Sequence, residues 1–500
     1  MKHISLLTLL FLLWNSFTVT SAQSLQLPAP FSDGMVLQRN QPLTIKGKTE
    51  AGTAVKVKLD KQTQSTTADT QGNFTVTLAP LPAGGPYELT FETPQISRTF
   101  HNVWMGEVWL CSGQSNMEMR LRDIATAQQD LKMAEKMPRV HLYNMESAFP
   151  VYAQIWEEDR MKAIDQGNFI RPAQWKVCTP EEAARFSAIG FHFARLLADS
   201  LGCHVGIISN AVGGSTTEGW IDSTSLSTTV PEMLQGDWRK NPNIMKWARD
   251  RADYNLQKDK QRKHTHPYAP GYLYYAAIRP IAGYPLRGVL WYQGESNADL
   301  VQMHERLFPL LEKSWRSTWN KSDLPFYFVQ LSSISTRPTW PEFRNSQRLL
   351  ADSLPLTYMT VSSDVGDSLD VHPKNKRIVG QRLAHAALHH TYGNTQLVPC
   401  GPQPVKATYT KVGEVRIEFT HAQGLRFAGV PDPAFFEVAG KNGVFVPARQ
   451  IKIEGNNLII RSNRITHPVQ IRYGWKPFTR ASLINRAGFP CSTFRLEVEN

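Results

Sequence analysis

The chain has 500 residues, more than one hydrophobic core usually organises, so we expect two or three domains. Hydrophobic residues make up 41% of it, which excludes an intrinsically disordered protein. Its formal net charge is +12. The basic residues are dispersed and no nucleic-acid-binding motif occurs, so we expect no nucleic acid partner.

The first 22 residues have the pattern of a secretory signal peptide. Lys2 and His3 precede an apolar run at 4–14, and small residues lead to Ala22, the expected cleavage site. The run is too short to span a bilayer, and no later stretch reaches about 18 apolar residues. We therefore expect a secreted or periplasmic protein with no integral membrane segment after cleavage.

Two regions of the chain have the pattern of β-strands. In residues 23–101, apolar and polar positions alternate between clusters of Gly and Asp, which predicts an N-terminal β-sandwich-like domain. The alternating segments are 43–46, 54–59 and 73–78. Residues 399–500 return to strand patterns, so we expect a C-terminal β-rich domain there.

The middle of the chain, residues 102–398, alternates short apolar runs with segments of helical periodicity, such as about 187–201 and 303–319. The runs are 108–111, 205–209, 289–292, 326–331 and 358–362. Apolar strands alternating with amphipathic helices predict an α/β domain whose parallel sheet has helices on both faces. Polar stretches at about 120–180 and 222–268 interrupt this alternation as insertions.

Reactive residues follow the apolar runs at four places. Ligands of open α/β sheets bind beyond the carboxyl ends of the strands, so these places are candidate site positions. Ser115 lies in a Gly-Gln-Ser-Asn turn, where its hydroxyl is exposed and its amide can donate. Gly213 and Gly214 let backbone amides approach a ligand. Gln293 offers a carboxamide that can stabilise a developing negative charge, and His372 follows the last run.

The four positions together indicate nucleophilic catalysis. A serine hydroxyl is a weak nucleophile until a base takes its proton. His372 can act as that base, at the entrance of a helix that Pro373 is well placed to begin. A carboxylate would hold its tautomer, and the Gly and Gln donors would bind the oxyanion. Taken alone, Ser115 is more simply explained as a structural turn residue.

Further polar side chains are candidates for other roles. Glu118 and Glu295 could form the acid pair of a glycosidase, but the serine and histidine favour positioning roles for them. Arg344 and Gln347, on an expected helix, are candidates for binding a sugar carboxylate or hydroxyls. Asn116 and Glu295 are further candidates for substrate binding. We expect no metal site.

Four segments resemble the SGNH hydrolases and, within them, the sialate O-acetylesterase group of carbohydrate esterases. They are VWLCSGQSNMEM (108–119), NAVGGSTTEGW (210–220), LWYQGESNA (290–298) and DVHPKNKRIVGQRLA (370–384). Two more, PFSDGMVLQRNQPLTIKG (30–47) and RYGWKPFTRASLINRAGFP (472–490), resemble that group's flanking β-domains. The resemblance covers nearly all of the mature chain.

The resemblance implies an SGNH-hydrolase-like fold and a set of catalytic roles. Ser115 would be the nucleophile, and His372 the general base and then acid. The amides of Ser115 and Gly214 and the side chain of Gln293 would form the oxyanion hole. The reaction would be hydrolysis of an O-acetyl ester through an acetyl-serine intermediate, with no cofactor.

The acid that supports the histidine stays open. Many SGNH enzymes place it three residues before the catalytic histidine, but Leu369 occupies that position here. Asp370, two residues before, is our assignment, and Asp364 and Asp367 lie close enough to compete. A Ser–His dyad helped by a backbone carbonyl is a further alternative.

We therefore expect a carbohydrate O-acetylesterase whose substrate is O-acetylated sialic acid. An alternative substrate is acetyl xylan or another plant polysaccharide. A non-catalytic carbohydrate-binding protein is an alternative of another class, motivated by two β-domains and 13 Trp. The sequence leaves the oligomeric state open.

Overall fold

The N-terminal region consists of seven strands in the computed structural model, which describes residues 25–499. They are β1 (Val36–Gln38), β2 (Leu43–Lys48), β3 (Ala54–Leu59), β4 (Gln62–Thr67), β5 (Asn73–Leu78), β6 (Gly84–Glu92) and β7 (Ser97–Gly113). Alternate residues of β2, β3 and β5 are buried, as expected from the alternating pattern. The expected signal peptide lies outside the described residues.

A second sheet occupies the middle of the chain. Its further strands are β8 (Val140–Asn144), β9 (Trp175–Val177), β10 (Val205–Ala211), β11 (Gly288–Tyr292), β12 (Phe326–Val329) and β13 (Thr357–Thr360). The order is β13-β12-β11-β7-β10-β8-β9. All neighbours are parallel except β8 and β9, so the expectation of a purely parallel sheet is corrected to a mixed one.

Strand β7 joins the two sheets. Its first half pairs with β6 of the N-terminal region, and its second half lies between β10 and β11 at the centre of the middle sheet. The predicted domain boundary at 101/102 therefore falls inside one continuous strand.

Helices cover both faces of the middle sheet. The α-helices among residues 25–499 are α1 (Ser115–Glu118), α2 (Ala127–Ala134), α3 (Glu158–Asp165), α4 (Pro180–Arg185), α5 (Ala188–Leu201), α6 (Ser223–Thr229), α7 (Lys246–Asn255), α8 (Val301–Thr318), α9 (Trp340–Ser353) and α10 (Lys376–His390). Successive residues of β7 enter different cores: Leu110 packs in the core that contains Trp315 of α8, and Cys111 in the core that contains Leu383 of α10. The middle sheet, after whose strands the candidate site residues follow, is therefore buried on both faces.

The C-terminal region is β-rich, with a core of its own. Its strands are β14 (Gln403–Lys411), β15 (Glu414–Thr420), β16 (Arg426–Phe427), β17 (Phe436–Ala439), β18 (Phe445–Pro447), β19 (Gln450–Glu454), β20 (Asn457–Arg461), β21 (Gln470–Tyr473), β22 (Leu483–Ile484) and β23 (Phe494–Glu499). Eight of them form one sheet, and β16 pairs with β22. Among residues 25–499, no helix is long and apolar enough to cross a membrane.

Candidate active site

Ser115 stands where the central strand β7 turns into helix α1. The strand ends at Gly113, whose φ of +132° favours glycine. A Cβ at this position would lie 2.1 Å from the carbonyl oxygen of Tyr292, so the close approach of β11 also requires glycine. The chain therefore turns sharply at the carboxyl end of the sheet, and the partly exposed Ser115 begins the helix.

His372 reaches Ser115 from the segment between β13 and α10. Its Nε2 lies 2.8 Å from Ser115 Oγ, within hydrogen-bond distance. Burial lowers the pKa of His372, and the charge of Lys376 lowers it further. The imidazole is therefore neutral at physiological pH and can accept the serine proton. The helix begins at Lys376 rather than at Pro373, three residues later than predicted.

The three candidate acids have different surroundings. Asp364 makes a two-pronged ion pair with Arg382, at 2.8 and 2.6 Å. Asp367 accepts the backbone N–H groups of Leu369 and Asp370. Asp370 Oδ1 accepts the histidine's own backbone N–H at 2.8 Å and lies 3.8 Å from its Nδ1, beyond hydrogen-bond distance. Of the three, Asp370 is therefore the one whose carboxylate lies beside the imidazole.

A turn after β10 places a second backbone amide near the serine. Its Gly214 has a φ of +74°, and a Cβ there would lie 2.4 Å from the hydroxyl of Tyr268. Within residues 25–499, the N–H groups of Ser115 and Gly214 donate no hydrogen bond to a protein atom. Two unpaired donors at a turn are what a developing oxyanion requires.

Tyr268 fixes the orientation of that turn. Its hydroxyl donates to the carbonyl of Gly213 at 2.7 Å, and its side chain is buried. The carbonyl of Gly213 and the N–H of Gly214 belong to one planar peptide unit and point in opposite directions. Tyr268 therefore sets the direction of the Gly214 N–H. Ser296 holds the next carbonyl, that of Gly214, at 3.0 Å.

The contacts of Gln293 correct its predicted role as an oxyanion donor. Its Nε2 donates to the carbonyl of Ser215 at 3.2 Å and to Asn297 Oδ1 at 2.6 Å, which uses both of its N–H groups. Its Oε1 accepts the hydroxyl of Thr217 at 2.6 Å. Gln293 is buried, and its donors hold the Gly213–Ser215 turn and Asn297.

Asn116 and Glu295, predicted to bind the sugar, instead bind each other. Asn116 is completely buried, and its Nδ2 donates to Glu295 Oε1 at 2.6 Å and to the carbonyl of Val371 at 3.0 Å. Lys376 Nζ donates to Asn116 Oδ1. Burial raises the pKa of Glu295 and lowers that of Lys376 to about 7. These contacts use the polar atoms of the Asn116 side chain and one carboxyl oxygen of Glu295.

Glu118 is a carboxyl group that lies near Ser115 at the partly exposed end of α1. A Cβ on Gly213 would lie 2.9 Å from Glu118 Oε2 and 3.7 Å from the Cβ of Ser115. Burial raises the pKa of Glu118 to about 7, against an opposing hydrogen bond from the Gly213 amide. Its charge therefore changes near neutral pH.

The comparisons with known proteins agree with this geometry. Residues 242–389 match the family model described as carbohydrate esterase, sialic acid-specific acetylesterase. A solved structure, a carbohydrate acetylesterase from Xanthomonas citri, has a TM-score of 0.77 and 31% identity, and the match covers 95% of this chain and 99% of that one. The chain belongs to the sialate O-acetylesterase family of carbohydrate esterases.

Curated relatives carry the same family name. The sialate O-acetylesterase of Mus musculus is 27% identical over 442 residues, which are 80% of this chain and 79% of the relative. That of Homo sapiens is 31% identical over 364 residues, 66% of this chain and 63% of the relative. The chain is a hydrolase of carboxylic esters, so the alternative of a non-catalytic carbohydrate-binding protein is not retained.

Arg344 and Gln347 of this carbohydrate esterase were predicted to bind a sugar, but their contacts lie within the fold. Arg344 is completely buried and donates to four backbone carbonyls, three of which belong to the C-terminal region. The four are those of Ser332, Gly474, Lys476 and Pro477. Gln347 accepts the N–H of Leu331 at 2.8 Å. Both side chains join parts of the fold and are too buried to bind a sugar.

Sequence reasoning about the esterase missed Tyr268 and Lys376. Tyr268 lies at the end of a polar stretch that was treated as an insertion, and nothing in its neighbours signals a contact with the Gly213 carbonyl. The sequence did contain a signal for Lys376, because a cation in the first turn of an expected helix is unfavourable and indicates a role other than stabilising the helix.

Proposed function

We propose that the protein removes O-acetyl groups from sialic acids through an acetyl-serine intermediate on Ser115. The observation that carries this proposal is the 2.8 Å contact between Ser115 Oγ and His372 Nε2, beside two backbone amides that donate to no protein atom among residues 25–499. The choice of sialic acid is supported by the family model and by the names of the curated relatives.

The geometry supports a two-step ester exchange. Ser115 Oγ attacks the acetyl carbonyl carbon while its proton passes to His372 Nε2, and the oxyanion binds the amides of Ser115 and Gly214. The intermediate collapses, its bond to the sugar oxygen breaks, and the imidazolium returns the proton to that oxygen. Water then attacks the acetyl-serine with His372 as base, and acetate leaves as the serine regains its proton.

We further propose an SGNH-type esterase domain at 102–398, a β-domain on each side of it, and export of the chain. The mixed sheet with helices on both faces and the β-rich C-terminal region support the domains. The pattern of residues 1–22 supports export. If export occurs, N-terminal sequencing of the protein from the medium or periplasm begins at Gln23; a chain that retains Met1 in the cytoplasm contradicts it.

Acetate release tests the proposed reaction and its substrate. The purified protein is incubated with O-acetylated sialic acid and, separately, with acetylated xylan. We expect faster release from the sialic acid. Faster release from xylan would replace the proposed substrate with a plant polysaccharide, while release from neither would contradict a sugar esterase.

Substitution of Ser115 tests the nucleophile. Ser115→Ala is expected to lower kcat by roughly 10⁴–10⁶-fold. Ser112→Ala is a matched control, because Ser112 is buried in β7, the strand that leads to Ser115, and its hydroxyl has no hydrogen-bond partner among the described residues. Near-normal turnover of Ser115→Ala would remove this serine from the mechanism.

A further inference from the structure

A buried cation lies behind the serine and the histidine, and the catalytic steps described above do not use it. Lys376 is only 1% exposed, and its Nζ donates to Asn116 Oδ1. The Nζ also lies 5.6 Å from the centre of the Tyr292 ring. Removing an ammonium group from water is costly, so this position calls for a compensating benefit.

The position of Lys376 in its helix increases that cost. It is the first residue of α10, where the N–H groups of the helix give a positive partial charge. The first turn of this helix holds no acidic residue. The carboxylate on hand is Glu295, whose Oε1 accepts from Asn116 and whose Oε2 is buried without a hydrogen-bond partner among the described residues.

Asn116 connects this lysine to both catalytic segments. It directly follows Ser115 in the chain, and its Nδ2 donates to the carbonyl of Val371, which directly precedes His372. Because Lys376 occupies the Oδ1 of the same carboxamide, the orientation of Asn116 is fixed. The lysine therefore holds the clamp that joins the nucleophile turn to the histidine segment.

The charge of Lys376 also acts on the imidazole. The ionisable groups that face His372 are Lys376, Lys374 and Asp370, and the first two lower its pKa. Lys374 is exposed to solvent, which screens its charge, whereas Lys376 is buried. Glu295, Lys374 and Asp370 face Lys376 in turn. With its own pKa at about 7, Lys376 is charged over the acidic range in which His372 titrates.

We propose that Lys376 is a positioning residue of the esterase site, which holds the histidine segment against the nucleophile turn through Asn116 and whose charge favours the neutral, proton-accepting form of His372. This inference rests on the proposed roles of Ser115 and His372. It has two parts, a hydrogen bond to Asn116 and a charge. Lys376→Met removes both, whereas Lys376→Gln removes the charge and can keep the hydrogen bond.

The test compares Lys376→Met with Lys376→Gln in pH profiles of kcat/KM for 4-nitrophenyl acetate. Both variants lack the charge, so in both the acid limb is expected to move upward by roughly half to one pH unit. Glutamine can still donate to Asn116, so Lys376→Gln is expected to keep a higher kcat than Lys376→Met. A merely structural role would lower kcat without moving the limb.

Lys374→Met is the matched control, since it removes an exposed cation that also faces His372. Its acid limb is expected to move less than that of either Lys376 variant. A wild-type acid limb in both Lys376 variants, or an equal shift in Lys374→Met, would overturn the proposal. Circular dichroism shows which variants fold. If Lys376→Met does not fold, the pH profile of Lys376→Gln is compared with those of wild type and Lys374→Met.

A measurement on the unchanged enzyme complements the substitutions. Salt screens exposed charges far more than buried ones, so raising the ionic strength from about 0.05 to about 1 M is expected to leave the acid limb nearly in place. A limb that rises with salt would assign the effect to Lys374 and overturn the charge part. If Ser115→Ala keeps its activity, the proposed function fails; if Ser115→Ala is inactive while the Lys376 variants titrate like wild type, only this inference fails.

Discussion

The hydroxyl of Tyr268 offers a sensitive test of the proposed oxyanion site, because one hydrogen bond orients the peptide whose N–H is one of the proposed donors. Tyr268→Phe removes the 2.7 Å bond to the Gly213 carbonyl and changes little else in the shape of the side chain. Burial raises the pKa of Tyr268, so the phenol stays protonated and donates in the wild-type enzyme. The substitution leaves that carbonyl without its partner, at a cost of about 1–3 kcal/mol.

The expected loss of turnover follows from the peptide plane. If the Gly213 carbonyl rotates toward another donor, the N–H of Gly214 rotates away from the oxyanion. Losing one such donor costs ~2.7–4 kcal/mol in the transition state, or ~10²–10³ in kcat. If the peptide is only held less firmly, a loss of about 1.4 kcal/mol of transition-state stabilisation lowers kcat about tenfold. We therefore expect kcat to fall between about tenfold and 10³-fold, with KM little changed because the oxyanion forms only in the transition state.

The assay is steady-state hydrolysis of 4-nitrophenyl acetate by wild type, Tyr268→Phe and Tyr272→Phe. Tyr272 is a matched control, since its buried hydroxyl also donates to a backbone carbonyl at 2.7 Å, that of Ile164. Both variants lose comparable stability, but only Tyr268→Phe is expected to lose turnover. A wild-type kcat in Tyr268→Phe, or an equal loss in Tyr272→Phe, would refute the reasoning.

Three further predictions concern the acid, the substrate and the fold. Asp370→Asn is expected to lower kcat by about 10–10²-fold and Asp364→Asn or Asp367→Asn by less than about threefold; a harmless Asp370→Asn in steady-state assays would favour a Ser–His dyad. Glu118 is neutral below its pKa of about 7 and anionic above it, so kcat/KM for acetylated sialic acid, relative to a neutral ester, is expected to fall as pH rises through about 7. Glu118→Gln should abolish this pH dependence. A ratio of the two kcat/KM values that stays constant with pH in the wild-type enzyme would contradict the prediction. Arg344→Met removes the guanidinium donors to four backbone carbonyls and to Thr493 Oγ1, so thermal unfolding is expected about 5 °C lower with kcat of the folded enzyme nearly unchanged. An unchanged midpoint with a raised KM would restore the sugar contact.

Local periodicity in the sequence determined the main elements. Segments 54–59 and 73–78 are strands with the predicted bounds, and helix Ala188–Leu201 begins one residue after the prediction. In these segments the buried face follows from spacing alone, because side chains alternate along a strand and repeat every 3.6 residues along a helix. The sequence also placed Ser115 just after a buried strand and His372 in the segment that follows the last one, since apolar runs mark where the buried strands stop.

What only the tertiary structure decided is which partner each polar atom meets. Strand Val140–Asn144 lies in a stretch predicted to be an insertion. It joins the middle sheet by pairing with Val205–Ala211, a later segment whose position local periodicity does not reveal. Gln293 and Arg344 look available in the sequence, yet elements more than 70 residues away use their hydrogen-bonding groups. A side chain's type and spacing fix what it can donate, but only the packing of remote segments fixes where the donor points.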